Sequence, residues 1–320
     1  MAFIPSIRYA YACAAFHVYS IWLFTLSDLK TIVFPQSMFG IILGLAVTGK
    51  RVSIPCSEDT LRILRRTPLV FFWIWINLLP FAINNQRDPE SIAEDQINKP
   101  WRTMPSLRWS YRQATCAMII FYFVAGITSY YMGGLTWGIS LLILGIWYNN
   151  MGGADINALT RNLINALGYT SFAAGALEIA TDAPLLPMRF LTIPNFSKVP
   201  RPKTWIVVIL MIILTTVHTQ DMADQKGDAL RGRRSLPLQI GDGACRWVIA
   251  MFMIFWWFLC PYLWRCRQVG YVMSASLAHT VAFRSIYFRT VEADKITFKI
   301  WNLWIVCLYL LPMIMDAGQY

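Results

Sequence analysis

Long apolar segments, separated by short polar stretches, constrain the fold of this 320-residue chain more than any other feature. Hydrophobic residues make up 57% of the chain and charged residues only 14%, whereas soluble domains carry about 25% charged residues. Lipid offers no water to backbone N–H and C=O groups, so segments of this kind are expected to be helices. The alternating polarity that marks a membrane β-barrel is absent from the sequence. The pattern therefore predicts an all-α, polytopic membrane helical bundle.

Nine segments reach the length of a bilayer-spanning helix, which is about 20 residues. They are 29–48, 68–86, 110–131, 134–150, 162–181, 203–222, 246–265, 268–288 and 297–316. A tenth apolar stretch, 9–26, is rich in aromatic residues and has two open interpretations: a helix in the membrane interface, or a further helix of the bundle. No Gly/Ser-rich or Pro-rich linker divides the chain, so we expect one transmembrane domain over residues 1–320, with 1–28 as the candidate interfacial helix.

The net charge of +11 raises the question of a polyanionic partner such as nucleic acid. In a chain this apolar, basic side chains are expected instead to flank the membrane spans or to hold an anionic substrate. We therefore expect contact with membrane lipid, no nucleic-acid partner and no obligate protein partner. The seven cysteines form no CxxC pair and lie mostly in apolar runs, so we expect them to behave as small buried hydrophobic residues.

Two polar segments rich in acidic side chains follow apolar spans. The first acidic segment, NNQRDPESIAEDQINKPWR at 84–102, ends the second span. The second acidic segment, QDMADQKGDALRGRRSLP at 220–237, ends the sixth span. An even number of spans separates the two ends, so both acidic segments are predicted to open on one side of the bundle, at one cavity.

Asp221, Asp224 and Asp228 have the spacing i, i+3, i+7, which puts three carboxylates on one face of a helix. Like charges crowded beside a membrane repel one another, so a bound cation is expected to neutralise them. Mg²⁺ accepts oxygen ligands and commonly bridges carboxylates to phosphate, which makes a diphosphate the natural ligand. The arginines within 231–234 add positive charge for the same anion. The alternatives are a solvated helix end in the second acidic segment and internal ion pairs in the first.

The two acidic segments together resemble the aspartate-rich motifs of the UbiA superfamily of intramembrane prenyltransferases. QDMADQKGDALRGRRSLP is similar to the second motif, and EDQINKPWRTMPS is similar to the stretch that follows the first. The resemblance implies a helical bundle around a central cavity, in which Mg²⁺ holds a prenyl diphosphate. It implies these metal ligands: Asn85, Asp95, Asp221, Asp224 and Asp228. Glu94, which stands beside Asp95 where the family pattern differs, is a further candidate ligand. Asn85 precedes Asp95 by ten residues rather than the family's eight, and Ser91 stands at the middle aspartate position.

The form of the first acidic segment is most similar to that of the fungal membrane-bound terpene cyclases of this superfamily. That resemblance implies a Mg²⁺-dependent enzyme of secondary metabolism, in the endoplasmic reticulum of a fungus. Such an enzyme ionises a linear prenyl diphosphate, farnesyl or geranylgeranyl diphosphate, and cyclises it to a terpene hydrocarbon. The alternative is a prenyltransferase that attaches the prenyl group to an aromatic acceptor. A transporter is a third class, but acidic helix ends followed by arginines fit diphosphate binding better.

Five basic side chains are candidates for binding the diphosphate: Lys99, Arg102, Arg161, Arg231 and Arg234. Arg102 matches the arginine that follows the first motif in the resembled family. Arg161 belongs to a third polar patch, 148–169, which is predicted to face the same side as both acidic segments. Arg161 could instead anchor a helix end. Lys30, at the start of the first span, has the same two alternatives, diphosphate binding or anchoring a helix end.

Two further side chains are candidates for acting on a carbocation. Phe81 lies one helical turn before Asn85, and its aromatic face is suited to stabilising a cation, with ordinary helix packing as the alternative. His218 lies one turn before Asp221 and is a candidate acceptor of the final proton of a cyclisation. Its alternative is a hydrogen-bonded histidine of the core.

Overall fold

A computed structural model describes residues 3–49, 58–185 and 202–315 of the chain. Within these ranges the secondary structure is helical and contains no β-sheet, which confirms the all-α prediction. The helices are α1 (Phe3–Thr25), α2 (Phe34–Gly49), α3 (Glu58–Arg87), α4 (Pro89–Asn98), α5 (Tyr111–Met132), α6 (Leu135–Asn149), α7 (Gly153–Ile156), α8 (Ala158–Thr181), α9 (Pro202–Thr216), α10 (Gln225–Arg231), α11 (Leu236–Ile240), α12 (Asp242–Leu263), α13 (Gln268–Tyr287) and α14 (Val291–Leu310). A 3-10 turn, Leu26–Asp28, and a π turn, Leu29–Val33, join α1 to α2, and a 3-10 turn, Val217–Gln220, follows α9.

All nine predicted spans coincide with helices, but the described ranges contain seven helical runs that are both long and apolar enough to cross a membrane. The predicted span 134–150 is α6, whose 15 residues are fewer than the about 20 that a bilayer requires. The predicted span 268–288 is α13, which has the length but is less apolar than the seven. The stretch 9–26 and the first span, 29–48, form one helical run, Arg8–Val47, interrupted at the two turns. The predicted bundle is therefore confirmed, with two members shorter or more polar than a typical span.

Helix α8 has the most buried apolar stretch among these candidate spans. Small residues in its second half allow neighbouring helices to approach closely. A Cβ on Gly175 would lie 2.1 Å from the ring of Trp73 in α3, and a Cβ on Gly40 in α2 would lie 2.5 Å from the carbonyl carbon of Ala176. Both positions therefore require glycine because neighbouring helices pack closely there, and not because the backbone turns. The indole N–H of Trp73 donates to Ser129 Oγ of α5 at 3.0 Å, so its polar atom is satisfied inside the core.

Large apolar side chains on the outer helices face away from the bundle. Phe123 and Ile127 of α5, Ile143 of α6 and Phe255 of α12 are exposed over at least 51% of their surface. Such a continuous apolar exterior is suited to lipid and would be unfavourable in water. The outer surface thus agrees with the membrane bundle that the hydropathy pattern predicts.

The cysteines are free in the described parts of the chain. Cys245 and Cys260 are buried, as predicted, whereas Cys13 and Cys116 are exposed, so the prediction of burial is wrong for these two. The reason is that α1 and α5 present these positions on their outward faces, where a small apolar side chain suits lipid contact. Cys56 lies outside the described residues.

The ends of α3 and α9 carry the two acidic segments to the same end of the bundle, as predicted. Pro89 opens α4 directly after α3, because the first helical position needs no N–H donor. Helix α10 follows the turn after α9 and packs against α4. The contact is close, since a Cβ on Gly227 would lie 2.2 Å from Asn98 Nδ2. This packing brings both acidic segments to one cavity.

Candidate active site

A cavity of about 520 Å³ opens where α4 and α10 meet and extends between α3, α6, α8 and α14. Its charged lining residues lie near this end, which we call the cavity mouth: Asp28, Lys30, Glu94, Lys99, Arg102, Arg161, Asp224, Arg233 and Lys295. Six basic against three acidic side chains give the mouth an excess of positive charge, which suits an anion. The deeper wall is apolar and aromatic, and includes Phe81, Leu144, Phe172 and Phe298. The cavity is therefore divided into an anion-binding end and a hydrocarbon-binding end.

The first acidic segment contributes Asn85 and Glu94 to the cavity lining, whereas Asp95 does not line it. Both carboxylate oxygens of Asp95 accept from Nη1 of Arg102, at 3.0 and 2.9 Å. The Oε1 of Glu94 accepts from Arg233 Nη1 at 2.8 Å, a contact between residues 139 positions apart. Asn85 lines the cavity and donates its side-chain amide to Asn149 Oδ1 at 2.9 Å. Of the predicted metal ligands in this segment, Asn85 and Glu94 are thus directly accessible.

The second acidic segment does not form the single helix that the spacing of its aspartates predicts. Asp221 follows the 3-10 turn after α9, Asp224 precedes α10, and Asp228 lies within α10, so the prediction of one shared helical face is wrong. The physical reason is that each carboxylate pairs with a base from a different element. Asp221 accepts from Arg161 at 2.8 Å, Asp224 from Lys99 at 3.0 Å and Asp228 from Arg233 at 2.9 Å. The bent backbone separates three like charges and gives each its own partner.

The ion pair between Lys99 and Asp224 links the two acidic segments at the mouth. Burial tends to lower the pKa of Lys99, but the Asp224 carboxylate outweighs it and leaves that pKa above the ordinary value. Burial likewise tends to raise the pKa of Asp224, but Lys99, with Arg102, brings it below the ordinary value. Both groups are therefore charged at neutral pH. Asp221 differs, because burial raises its pKa, a shift that Arg161 opposes and the Asp228 carboxylate increases.

Two buried carboxylate oxygens behind the mouth are available to a cation, on residues that pair with the lining side chains Arg161 and Arg233 but do not themselves line the cavity. Asp221 Oδ2 and Asp228 Oδ2 have no hydrogen-bond partner within the described ranges, although both residues are at most 1% exposed. Unpaired buried anionic oxygens are unfavourable, and hard oxygen donors of this type are the ligands that Mg²⁺ binds in proteins. The same ranges contain no group of three or more acidic, histidine or cysteine side chains already gathered around one point. The residues fit a divalent cation by their chemistry, while lysine and arginine side chains neutralise them here.

The predicted arginines of the mouth separate into two groups. Arg161 lines the cavity, where its Nη1 donates to the Tyr148 hydroxyl at 2.8 Å. Arg231 does not line it and binds Ser91 Oγ at 2.5 Å and Asp155 at 3.2 Å. Arg234 is exposed and lies outside the cavity lining, and Arg233 takes the cavity position instead. The diphosphate role predicted for Arg234 therefore fits Arg233 better.

A local turn of the backbone explains why Arg233 faces the cavity and Arg234 does not. Gly232 ends α10 in the left-handed region, at φ +75°, which turns the chain so that Arg233 points inward and Arg234 outward. The glycine within the RGRRS sequence is the signal that identifies this turn. The inward residue Arg233 contacts Glu94 and Asp228 together, so it joins the two acidic segments a second time.

The two candidates for acting on a carbocation occupy different places. Phe81 lines the cavity and makes an edge contact with Tyr148, their ring centroids lying 5.7 Å apart. His218 does not line it, and its buried ring has Nδ1 3.4 Å from Asn162 Nδ2. His218 does lie one 3-10 turn before Asp221, whose backbone N–H donates to the His218 carbonyl at 3.0 Å, but neither residue lines the cavity. This position removes His218 from contact with a substrate in the cavity.

Two charged cavity residues, Asp28 and Lys295, carried no motif and were missed by sequence reasoning. The cavity lining also includes Asn77, which shares a helical face with Phe81, and Tyr148 and Tyr169 of the third polar patch. Lys30, considered only as a helix-end anchor or diphosphate ligand, also lines the cavity. Asp28 and Lys30 had a signal in the sequence, since FTLSDLK places two charges inside an otherwise apolar run.

Comparison with known proteins places the chain among membrane-bound isoprenoid enzymes. Residues 37–306 match the sequence profile of the UbiA prenyltransferase family. Fumagillin beta-trans-bergamotene synthase of Aspergillus fumigatus is 27% identical over 297 residues, which cover 92% of this chain and 91% of that protein. Somaliensene A/B synthase of Streptomyces somaliensis is 25% identical over 292 residues, with 88% of each chain covered.

Solved structures share the fold at lower sequence identity. A structure of digeranylgeranylglyceryl phosphate synthase has a TM-score of 0.56 and 17% identity, covering 92% of this chain and 97% of that one. A UbiA homolog from Archaeoglobus fulgidus, bound to DMAPP and Mg²⁺, has a TM-score of 0.53 and 14% identity, covering 90% and 99%. The family match spans most of the chain, and the long apolar helices agree with it. The chain is therefore an integral membrane protein that belongs to the UbiA prenyltransferase family, a family of prenyl-transferring enzymes.

Proposed function

We propose that this chain is a Mg²⁺-dependent, membrane-bound terpene cyclase that converts a linear prenyl diphosphate into a cyclic terpene hydrocarbon. The observation that carries the proposal is the division of one cavity into a cationic mouth and an apolar, aromatic wall. Its volume of about 520 Å³ lies within the range of small-molecule sites, about 300–1,000 Å³. Two relatives that match nearly the whole chain are named as terpene synthases, which supports a cyclase over a transferase.

The mouth supplies fixed positive charge for the diphosphate. Lys99, Arg102, Arg161 and Arg233 all line the cavity there, and they come from three separate stretches of the chain. Arginine and lysine donors form charge-assisted hydrogen bonds with phosphate oxygens, which position the head group and stabilise the charge that develops as it leaves. Farnesyl or geranylgeranyl diphosphate is the proposed substrate, because the apolar wall below the mouth suits a long prenyl chain.

The carboxylates of both acidic segments are the proposed ligands of Mg²⁺. Glu94 and Asp224 face the cavity, and Asp221 and Asp228 each keep one buried oxygen without a partner in the described ranges. Asn85 offers a neutral oxygen beside them. When bound, the metal supplies Lewis acidity that stabilises the departing diphosphate. The structures of a UbiA homolog with Mg²⁺ and prenyl diphosphates support this choice of metal.

The apolar wall determines what happens after ionisation. The allylic C–O bond breaks and its electron pair leaves with the diphosphate oxygen, so a carbocation remains on the hydrocarbon chain. Water is excluded by side chains such as Leu144 and Phe172, and the aromatic faces of Phe81 and Phe298 attract the cation. The nearest electron-rich groups are then the double bonds of the same chain, whose attack closes a ring, and loss of a proton ends the reaction.

The proposal is tested by incubating membranes that contain the protein with geranyl, farnesyl and geranylgeranyl diphosphate, Mg²⁺ and no acceptor. We expect a cyclic hydrocarbon from at least one substrate, its loss with EDTA and its return with added Mg²⁺. Asp182→Asn, far from the mouth, is the matched control for the carboxylate variants. If the protein released only linear alcohol yet alkylated a supplied aromatic acid, the prenyltransferase alternative would replace the cyclase. We place the enzyme in the endoplasmic reticulum of a fungus and in secondary metabolism, and the Aspergillus relative supports the fungal source.

A further inference from the structure

Asp28 is an acidic residue of the cavity wall that no step of the proposed mechanism uses. It ends the 3-10 turn Leu26–Asp28, directly before the π turn Leu29–Val33. The two turns interrupt the apolar run Arg8–Val47, and short π segments occur often at functional sites. Three polar residues of this interruption, Ser27, Asp28 and Lys30, line the cavity.

Asp28 differs from the other carboxylates of the cavity in having no direct partner. Three acidic side chains line the cavity within the described ranges: Asp28, Glu94 and Asp224. Glu94 pairs with Arg233 at 2.8 Å and Asp224 pairs with Lys99 at 3.0 Å. Asp28 forms neither an ion pair nor a hydrogen bond with any residue in those ranges, so its carboxylate oxygens keep their lone pairs.

The surroundings of Asp28 connect the mouth with the deeper wall. On the mouth side it is attracted by Arg102, Lys99 and Lys30 and repelled by Asp95, none of them in direct contact. On the inner side, Asp28 interacts electrostatically with Tyr169, which lines the deeper wall. Burial of the Asp28 side chain opposes the carboxylate form, and the nearby cations favour it. An unpaired carboxyl group therefore faces the space in which a prenyl chain would fold.

Resting on the proposed function, we infer that Asp28 is the base that removes the final proton of the cyclisation. A carboxylate oxygen of Asp28 takes a proton from the carbon next to the cationic carbon, and the C–H electron pair becomes the C=C bond of the product. The resulting carboxylic acid returns its proton to the diphosphate or to water when the products leave. The aspartate acts on the substrate directly and is a catalytic residue in this step.

Other acceptors of the cavity are less suited to this proton. The oxygens of Glu94 and Asp224 are engaged by arginine or lysine and are proposed metal ligands. Neutral amide and phenol groups, such as Asn77 and Tyr169, are very weak bases. His218, which the sequence suggested as the base, does not line the cavity.

The experiment compares full-length wild type, Asp28→Asn and Asp28→Glu in membranes, supplied with farnesyl and with geranylgeranyl diphosphate. Diphosphate release measures ionisation, and gas chromatography of the extract measures the products. For Asp28→Asn we expect the fraction of the main cyclic hydrocarbon to fall about tenfold or more, since general bases contribute on the order of a hundredfold or more to proton transfer. Quenched alcohols and hydrocarbons with a displaced double bond should replace it.

Diphosphate release should fall much less than the cyclic hydrocarbon in Asp28→Asn, and the release that persists, still dependent on Mg²⁺, shows that the variant is folded. Asp28→Glu keeps a carboxylate and should recover part of the hydrocarbon, and Asp182→Asn serves as the control for a remote carboxylate. An Asp28→Asn product profile equal to that of the wild type would overturn the inference. So would a loss of diphosphate release in both Asp28 variants, because that places the residue in ionisation or folding. If the wild type forms no cyclic hydrocarbon at all, the proposed function fails first and this inference fails with it.

Discussion

Replacing Phe81 by leucine tests whether an aromatic face in the cavity wall controls the carbocation. The substitution keeps an apolar side chain of similar bulk and removes the π-system. Phe81 lines the cavity one helical turn before Asn85 and contacts Tyr148 edge-on, with ring centroids 5.7 Å apart. The ring also packs closely on Gly145, one turn before Tyr148 on the same helix, since a Cβ on Gly145 would lie 3.2 Å from the Cδ2 atom of Phe81. Its position is therefore defined by packing, which a leucine can largely reproduce.

The expected effect follows from the energy of a cation over an aromatic ring. That interaction is worth about 0.5–2 kcal/mol, and more when water is excluded. Because about 1.4 kcal/mol corresponds to a factor of ten, the ratio of cyclic to prematurely terminated products should fall about two- to thirtyfold in Phe81→Leu. Ionisation depends on the charged groups of the mouth, so diphosphate release should change much less than the product ratio.

The assay measures the cyclic fraction and the diphosphate released in the same membrane preparation. Phe81→Tyr retains an aromatic face and should stay near the wild-type ratio, while Phe81→Ala enlarges the cavity and should give the broadest mixture of products. An unchanged ratio in Phe81→Leu would refute the aromatic role and leave packing against Tyr148 as the explanation. That result would not concern the cyclase assignment itself.

The ion pairs at the cavity mouth lead to two further predictions. Arg161→Leu leaves the buried Asp221 carboxylate without a partner for either oxygen, and should lower the free energy of unfolding by about 3–5 kcal/mol. Denaturant titration in mixed micelles measures it, and the double variant with Asp221→Leu should recover much of the loss; no recovery would show that the two residues act independently. Asp224→Asn and Asp228→Asn should abolish product formation while the proteins stay folded, because each removes a proposed metal ligand. Full activity of either variant, over a range of Mg²⁺ concentrations, would exclude a metal role at that position.

The sequence by itself determined the class of fold and the location of the site. Apolar segments of spanning length can satisfy their backbone in lipid only as helices, so the bundle could be predicted from hydropathy alone. The alternation of span ends then placed both acidic segments at one end of the bundle, where the structure has them. Single helices were predicted less well: α6 is too short for a bilayer, because helix ends depend on local turns and on packing partners.

Tertiary structure alone decided which charged groups meet. Arg233 contacts Glu94 across 139 residues of sequence, and no local pattern records such a contact. Spacing along a chain defines a common face only while the helix continues, and the 3-10 turn before Asp221 ends that continuity. Folding also decided that His218 lies away from the cavity, and the left-handed turn at Gly232 decided that Arg233, not Arg234, faces it. Only the tertiary structure could likewise show that the Asp28 carboxylate has no direct partner, because folding decides which side chains come close to it.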